Sequence, residues 1–112
     1  MTGPTLAERI LACVGEIPAG RVMTYGDVSE YAGGKSGRTV GRVLAHDGGM
    51  VPWHRVLRAD GTCARHLYDE QRQRLIAEGV RFRGDRVDLG VYRWDGRANS
   101  AEPSGGRAGI VR

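Results

Sequence analysis

The stretch Val51-Pro52-Trp53-His54-Arg55-Val56 gathers the side chains best suited to chemistry. Histidine can carry a proton near neutral pH, and arginine can grip a phosphate or an oxyanion. Neither is a ready nucleophile, and the stretch holds no acid, serine or thiol. An indole N–H only donates hydrogen bonds and does not attack an electrophile at neutral pH. A site crowded like an enzyme's is therefore built without anything that reacts.

A thiol elsewhere is the first alternative. Cys63 lies in Asp60-Gly61-Thr62-Cys63-Ala64-Arg65-His66, outside the Pro-x-His-Arg setting of His54 and Arg55. No sequence-adjacent base or helix N-terminus is placed to lower its pKa. It reads as structural filler or as an exposed loop thiol. Cys13 shares a helical face with Leu6, Ile10, Val14 and Ile17, which reads as a small core hydrophobe. Two cysteines without C-x-x-C spacing give neither a disulfide scaffold nor a zinc site. No metal ligand set is evident and no cofactor is expected.

At 112 residues the chain has room for one modest core, which leans on Val, Leu, Ile and Ala because there is a single Phe. No apolar run reaches the roughly eighteen residues of a membrane span, and the N-terminus lacks the pattern of a secretory signal. A soluble cytoplasmic protein without a membrane partner is expected. The formal net charge is +4, and Lys35 is the one lysine among 17 basic residues. An arginine-rich positive balance favours a polyanionic partner. A genome that writes Arg for Lys would give the same composition.

The elements that position these residues are mainly helical. Thr5-Leu6-Ala7-Glu8 fits a capping box, so a first helix runs to about Val14 and stops by Gly15, with Pro18 confirming the exit. "IPAGRVMT" reads as a turn and a short extended piece. Thr24-Tyr25-Gly26-Asp27 is a second capping box, opening a short helix that Gly33-Gly34 ends. A third helix starts near Ser36 or Gly37 and ends at Gly48-Gly49, which makes a helix-turn-helix pattern. "YDEQRQRLIAEG" is a later helix, with Asp69 and Glu70 in its first turn, a Glu70–Arg74 pair, an apolar edge at Leu75 and Ile76, and Gly79 as terminator. "VRFRGDRVDLGVYRW" alternates like two strands around Gly84-Asp85, a small wing. Residues 98–112, rich in Gly, Ser, Pro and Ala, are expected to form a disordered tail behind a domain of residues 1–97.

The third helix buries Val40, Val43 and Leu44 and carries Arg38, Arg42 and His46 at i, i+4 and i+8 on another side. Like charges at that spacing cost about 0.2–0.5 kcal/mol per pair, and a mid-helix glycine such as Gly41 costs about 1 kcal/mol against Ala. A flank that is repulsive and stripped of side chains makes sense if a phosphate backbone approaches it closely. A solvated basic face with accidental glycines is the competing reading.

Four ordered pieces carry a resemblance: "TYGDV" at 24–28, "GRTVGRVL" at 37–44, Pro52-Trp53-His54-Arg55-Val56, and "EQRQRLIAEGV" at 70–80. Together they resemble the DNA-binding domain of the O6-alkylguanine-DNA alkyltransferases, whose active-site motif is Pro-Cys-His-Arg-Val. Tryptophan in place of the acceptor cysteine resembles the alkyltransferase-like proteins, and the likeness spans roughly residues 5–95. It implies a mainly α domain with a small β wing, the winged helix-turn-helix-like fold of the alkyltransferase C-terminal domain. It also implies no enzyme activity and no catalytic residue.

The same resemblance assigns roles. His54 and Glu78 match the transferases' proton relay, left here as a structural remnant with nothing to deprotonate. Tyr25 matches a tyrosine that helps rotate the target nucleotide, and Arg38 an arginine that enters the minor groove and fills the gap in the stack. Thr24, Gly37, Thr39, Gly41 and Arg42 complete the expected DNA-binding set. Val56 matches a residue whose backbone reads the flipped guanine. The lesion pocket would be formed by Tyr25, Pro52, Trp53, Arg55, Val56 and Arg65, with Trp53 as its floor. Trp53 as ordinary core packing is the competing reading, and Trp94 is assigned to packing. "HDGGM" lacks the family's asparagine hinge, and "GTCARHLYDE" replaces its Gly-rich loop, with Arg65 and His66 as candidates to touch an alkyl group or a phosphate.

The implied function is a monomeric sensor that binds double-stranded DNA containing alkylated guanine, flips the lesion and marks it for nucleotide excision repair proteins, in the bacterial cytoplasm and at the nucleoid when bound. Two alternatives remain at this point. One is a transferase using Cys63; the other is a winged-helix regulator reading an undamaged sequence.

Overall fold

The computed structural model describes residues 3–97, so the expected tail at 98–112 lies outside the described residues. Among the described residues five helices and two small sheets follow one another along the chain. Helix α1 spans Leu6–Glu16, strand β1 Met23–Thr24, α2 Tyr25–Ala32 and α3 Gly37–Asp47. Strand β2 is Val56–Leu57, α4 Tyr68–Ala77, β3 Phe82–Arg83, β4 Arg86–Val87 and α5 Leu89–Tyr92. Short 3₁₀ turns at Gly48–Met50, Trp53–Arg55 and Arg65–Leu67 fill the connections. Among the described residues no helix is long and apolar enough to cross a membrane.

The capping chemistry places the first two helices where the sequence puts them. Thr5 accepts from the Glu8 amide while Glu8 accepts from the Thr5 amide, at 3.1 and 2.8 Å. Thr24 and Asp27 repeat the exchange at 3.0 Å in both directions. Helix α1 runs past Gly15 to Glu16, longer than expected, because Gly15 is solvent-exposed and blocks nothing. The stop comes from Pro18, which pushes Ile17 out of the helical region to ψ 121°.

Helices α2 and α4 end in the same way. Gly33 adopts φ +85°, with its N–H bonded to Glu30 and that of Gly34 to Ser29. Gly79 adopts φ +94°, with its N–H bonded to Ile76 and that of Val80 to Leu75. Both are Schellman closures that need a residue tolerant of left-handed backbone.

Two apolar clusters hold these elements together. The first joins Ile10, Cys13, Val14, Ile17, Met23, Val28, Ala32, Val40 and Val56, with Leu6, Val43, Leu44 and Trp94 packed against it. Trp94 therefore packs, as assigned, and lies 6.1 Å from the Tyr31 ring. The second cluster holds Val22, Leu57, Cys63, Leu75, Val80 and Val87. Strands β1 and β2 pair in parallel, Met23 beside Val56 and Thr24 beside Leu57, which spans the two clusters.

Three further details differ from the sequence reading. The β1–β2 pairing is absent from it, since strands of two residues carry no periodicity. Ile76 is 49% exposed, so the apolar edge of α4 is Leu75. The wing forms as β3–β4 around Gly84-Asp85, but the chain then turns into α5, because the Asp88 side chain caps the Gly90 amide at 2.9 Å. Arg93 closes the domain with a two-pronged bond to Asp27 at 2.7 and 2.8 Å, which fastens the last segment to the start of α2.

The Gly79 closure gives a direct test. A Cβ there would meet nothing within 4 Å, so Gly79→Ala should destabilise through backbone strain alone, by about 1 kcal/mol in chemical denaturation. Unchanged stability would contradict the left-handed conformation.

Candidate functional site

The reactive-looking stretch folds as a tight turn. Pro52 precedes a 3₁₀ helix of Trp53–Arg55, and Val56 enters β2. Helix α4 holds this turn at two points. Gln71, 1% exposed, donates from Nε2 to the carbonyls of His54 and Val56 at 3.1 and 2.7 Å, and its Oε1 accepts from the Ala64 amide at 2.9 Å. Two turns further on, at the C-cap of the helix, Glu78 takes the remaining contacts.

The Glu78 carboxylate accepts from His54 Nε2 at 2.7 Å, from the Gly20 amide at 3.0 Å, and from Arg55 Nε and Nη2 at 3.1 and 2.6 Å. Arg55 also donates from Nη1 to the Ile17 carbonyl at 2.8 Å. Burial alone would raise the Glu78 carboxyl. Arg55 foremost, with Gly20 and His54, outweighs burial and holds it down to about 2. An ionised carboxylate only accepts, so His54 carries its proton on Nε2. Its Nδ1 is buried without a hydrogen-bond partner among the described residues. His54 and Glu78 thus meet in a direct hydrogen bond.

Arg55 and Val56, placed by the sequence reading in the lesion pocket, are occupied otherwise. The Arg55 guanidinium is committed to Glu78 and Ile17. Val56 is fully buried, with its N–H bonded to the Trp53 carbonyl and its own carbonyl bonded to Gln71. Trp53 is half-buried, and the Arg74 guanidinium carbon lies 5.5 Å from its ring centroid. Arg74 is itself held by Glu70 at 2.8 Å, the i,i+4 pair legible in the sequence.

Arg65 lies apart from that turn. It lines a cleft of about 330 Å³ with Arg58, Asp60, Thr62, Cys63, Tyr68, Asp85 and Arg86. Trp53 and His66 are not among the lining residues. Cys63 is 2% exposed, and burial first of all pushes its thiol up to about 11. A thiol held that high carries almost no thiolate at neutral pH, which makes Cys63 a poor acceptor. Tyr25 is close enough to feel Cys63 and Arg58. Its phenol is raised above the ordinary value chiefly by burial, further by Cys63, and eased by Arg58.

The helix-turn-helix residues divide in two. Arg38, Arg42 and His46 are exposed along α3, and a Cβ on Gly41 would meet nothing within 4 Å, so this flank is open to a close-approaching partner. Gly37 differs: its Cβ would come within 3.1 Å of Tyr25 Cβ and 3.3 Å of the Gly26 nitrogen. Its smallness serves the α2–α3 contact. Thr24 is 4% exposed, with its hydroxyl used in the α2 cap, and Thr39 is half-buried. Among the described residues no group of three His, Cys, Asp or Glu is placed to hold a metal ion.

The sequence reading missed Gln71, Gly20 and the full role of Arg55. A signal for Gln71 existed. Gln71, Leu75 and Glu78 stand at i, i+4 and i+7, the spacing of a buried stripe, with polar residues at both ends.

Residues 5–80 match the family described as 6-O-methylguanine DNA methyltransferase, DNA binding domain. The chain belongs to that alkyltransferase family. It is 45% identical over 94 residues to the DNA base-flipping protein of Escherichia coli, covering 79% of this chain and 73% of that one. It is 39% identical over 92 residues to alkyltransferase-like protein 1 of Schizosaccharomyces pombe, covering 76% and 83%. The fold of the S. pombe alkyltransferase-like protein, solved in complex with damaged DNA containing O6-carboxymethylguanine, superposes with a TM-score of 0.73 at 31% identity, covering 84% of this chain and 98% of that one. The O6-methylguanine methyltransferase of Mycobacterium tuberculosis gives 0.59 at 27% identity, over 69% of this chain and 50% of that one. The alkyltransferase-like fold expected from the sequence is the fold observed, mostly helical with a small sheet.

The Glu78 tie predicts an acid-labile step in stability. A carboxyl at about 2 in the folded chain, against its ordinary 4.5, stabilises fully above pH 4.5, and that contribution is lost as pH falls through about 2. Glu78→Gln should flatten the stability curve between those values. It should also lower stability at pH 7 by roughly 2 kcal/mol, since Arg55 loses its counter-charge. An unchanged acid limb in urea titrations of the variant would contradict the tie.

Proposed function

We propose that this alkyltransferase-family chain is a non-enzymatic damage sensor. It binds duplex DNA containing O6-alkylguanine, rotates the damaged nucleotide out of the stack, and holds it without removing the alkyl group. The observation that carries the reading is Trp53 in the Pro-x-His-Arg-Val turn, at the position where the transferases this chain resembles have their acceptor thiol. A flat indole can pack against a purine face or an alkyl group, and stacking of that kind contributes about 1–3 kcal/mol per base. His54 and Glu78 are directly hydrogen-bonded, and among the described residues His54 Nδ1 has no hydrogen-bond partner. Cys63, buried and high in pKa, does not replace the missing nucleophile.

The DNA contact falls to the open flank of α3. Arg38 at its first turn fills the gap left by the extruded nucleotide, and Arg42 grips phosphate, with Gly41 leaving room for the backbone. Tyr25 crowds the flanking phosphate and drives the rotation. Extrusion costs a few kcal/mol of pairing and stacking, and a planar cation in the vacancy recovers part of it. The flipped base enters between the Trp53 turn and the Arg65 cleft, with Pro52 and the Arg65 loop as walls. Arg55 and Val56 support that pocket from behind through their bonds to Glu78 and Gln71. A long-lived, bent complex formed by a single copy of the chain then serves as the mark read by nucleotide excision repair proteins, in the cytoplasm and at the nucleoid.

Two relatives support this reading by name and by complex: the DNA base-flipping protein of E. coli and the S. pombe protein bound to O6-carboxymethylguanine DNA. The test uses the intact chain. Arg38→Ala and Tyr25→Ala should each weaken binding to a duplex containing O6-methylguanine by about tenfold, with Tyr25→Phe weaker by less, in gel-shift titrations. Affinities equal to the parent's would remove the flipping mechanism. Mass spectrometry of the protein after incubation should show no added methyl. An adduct on Cys63 would establish a transferase instead.

A further inference from the structure

The cleft that holds Arg65 has walls from two distant parts of the chain, and one side chain ties them together. Tyr68, the first residue of α4, forms one wall, and Asp85 with Arg86 of the wing forms the other. Arg72, one turn along α4 from Tyr68, does not line the cleft. Its Nη1 donates to the Tyr68 hydroxyl at 3.3 Å and to the carbonyl of Gly84, the residue before Asp85, at 2.9 Å. Its guanidinium carbon stands 4.5 Å from the Phe82 ring centroid and 6.0 Å from that of Tyr68. A planar, delocalised cation can stack on a ring and donate from its edge at the same time; a lysine ammonium offers neither the plane nor the fork.

The wing depends on such a tie. Strands β3 and β4 have two residues each, and a hairpin of that size is marginal on its own. Beyond their own pairing, the wing meets the cleft floor through the Thr62–Arg86 bridge and the bond from the Val87 amide to the Gly61 carbonyl at 2.9 Å. Both contacts hold β4. The turn that carries Asp85 is held by Arg72.

We infer that Arg72 is a specificity-determining positioning residue: by clamping Tyr68 to the wing turn it sets the width of the Arg65 cleft, and so the size of the guanine O6 substituent that the cleft admits. The inference rests on the lesion-binding reading given above. With Arg72 truncated, the two walls separate, so a small substituent loses contact while a bulky one gains room. The loss of one positive charge near DNA acts equally on every duplex and cancels in a ratio of affinities.

The experiment compares one duplex carrying either O6-methylguanine or O6-benzylguanine, titrated by fluorescence anisotropy with the parent chain, Arg72→Ala and Arg72→Lys. In Arg72→Ala the ratio of affinities should move towards the benzyl adduct by about fivefold, and in Arg72→Lys in the same direction by less. A ratio unchanged in both variants overturns the clamp, as does a uniform loss on both adducts and on undamaged DNA, the signature of a plain phosphate contact. Should Arg72→Ala fail to fold, Arg72→Lys and Phe82→Leu, which removes the ring beneath the guanidinium, decide the matter by the same ratio. A parent chain that binds alkylated and plain duplexes equally overturns the lesion reading and the clamp with it. A parent chain that discriminates, with variants that keep its ratio, overturns the clamp alone.

Discussion

A single carboxylate organises the functional half of this domain. Glu78 stands at the C-terminal end of α4, where the helix dipole disfavours negative charge. It is stable there because Arg55, His54 and the Gly20 amide converge on it from two other segments. The tie is mutual: without Glu78, the Arg55 guanidinium would be a half-buried cation bonded only to a carbonyl. Through Arg55 the same tie reaches the end of α1 at Ile17, and through His54 it fixes the turn that carries Trp53. Gln71 adds a second anchor from the same helix. The turn is therefore held from behind, with the Trp53 side chain half-buried.

This arrangement separates support from recognition. The residues beside Trp53 that look most reactive, His54 and Arg55, turn inward. The exposed basic residues lie elsewhere, Arg38 and Arg42 on the α3 flank, while Arg65 lines the separate cleft. The two glycines of α3 follow the same division. Gly37 is required by the close contact of α3 with Tyr25, whereas Gly41 faces open space on the basic flank. Without Arg55 the Ile17 carbonyl loses a donor, and without Glu78 the Gly20 amide, His54 Nε2 and Arg55 lose their shared acceptor.

Local chemistry was the most legible layer of the sequence. Both capping boxes, both glycine terminators and the Glu70–Arg74 pair rest on contacts between residues close in the chain, so spacing alone announces them. The exit of α1 was misjudged by two residues because Gly15 attracts attention as a breaker, while Pro18 sets the stop through the residue before it. The β1–β2 pairing, the turning of Arg55 towards Glu78 and the Gln71 anchor join residues far apart in sequence. Nothing in a period of two or 3.6 residues encodes such meetings. His54 and Glu78 could be paired from the sequence only through the resemblance of the surrounding motif. Gln71 is legible from its place on the Leu75 face. The split between the Trp53 turn and the Arg65 cleft is not, since it depends on where the 65–68 turn settles against the wing.

The central claim is that this chain distinguishes a damaged purine and leaves it damaged. Its most direct measurement is the equilibrium affinity for one duplex sequence prepared twice, identical except for a single O6-methyl group, with the methyl content of the DNA quantified after the complex is dissociated. The account requires tighter binding to the methylated duplex and full recovery of the methyl group on the DNA. Equal affinity for the two duplexes, or DNA returned without its methyl group, would contradict it.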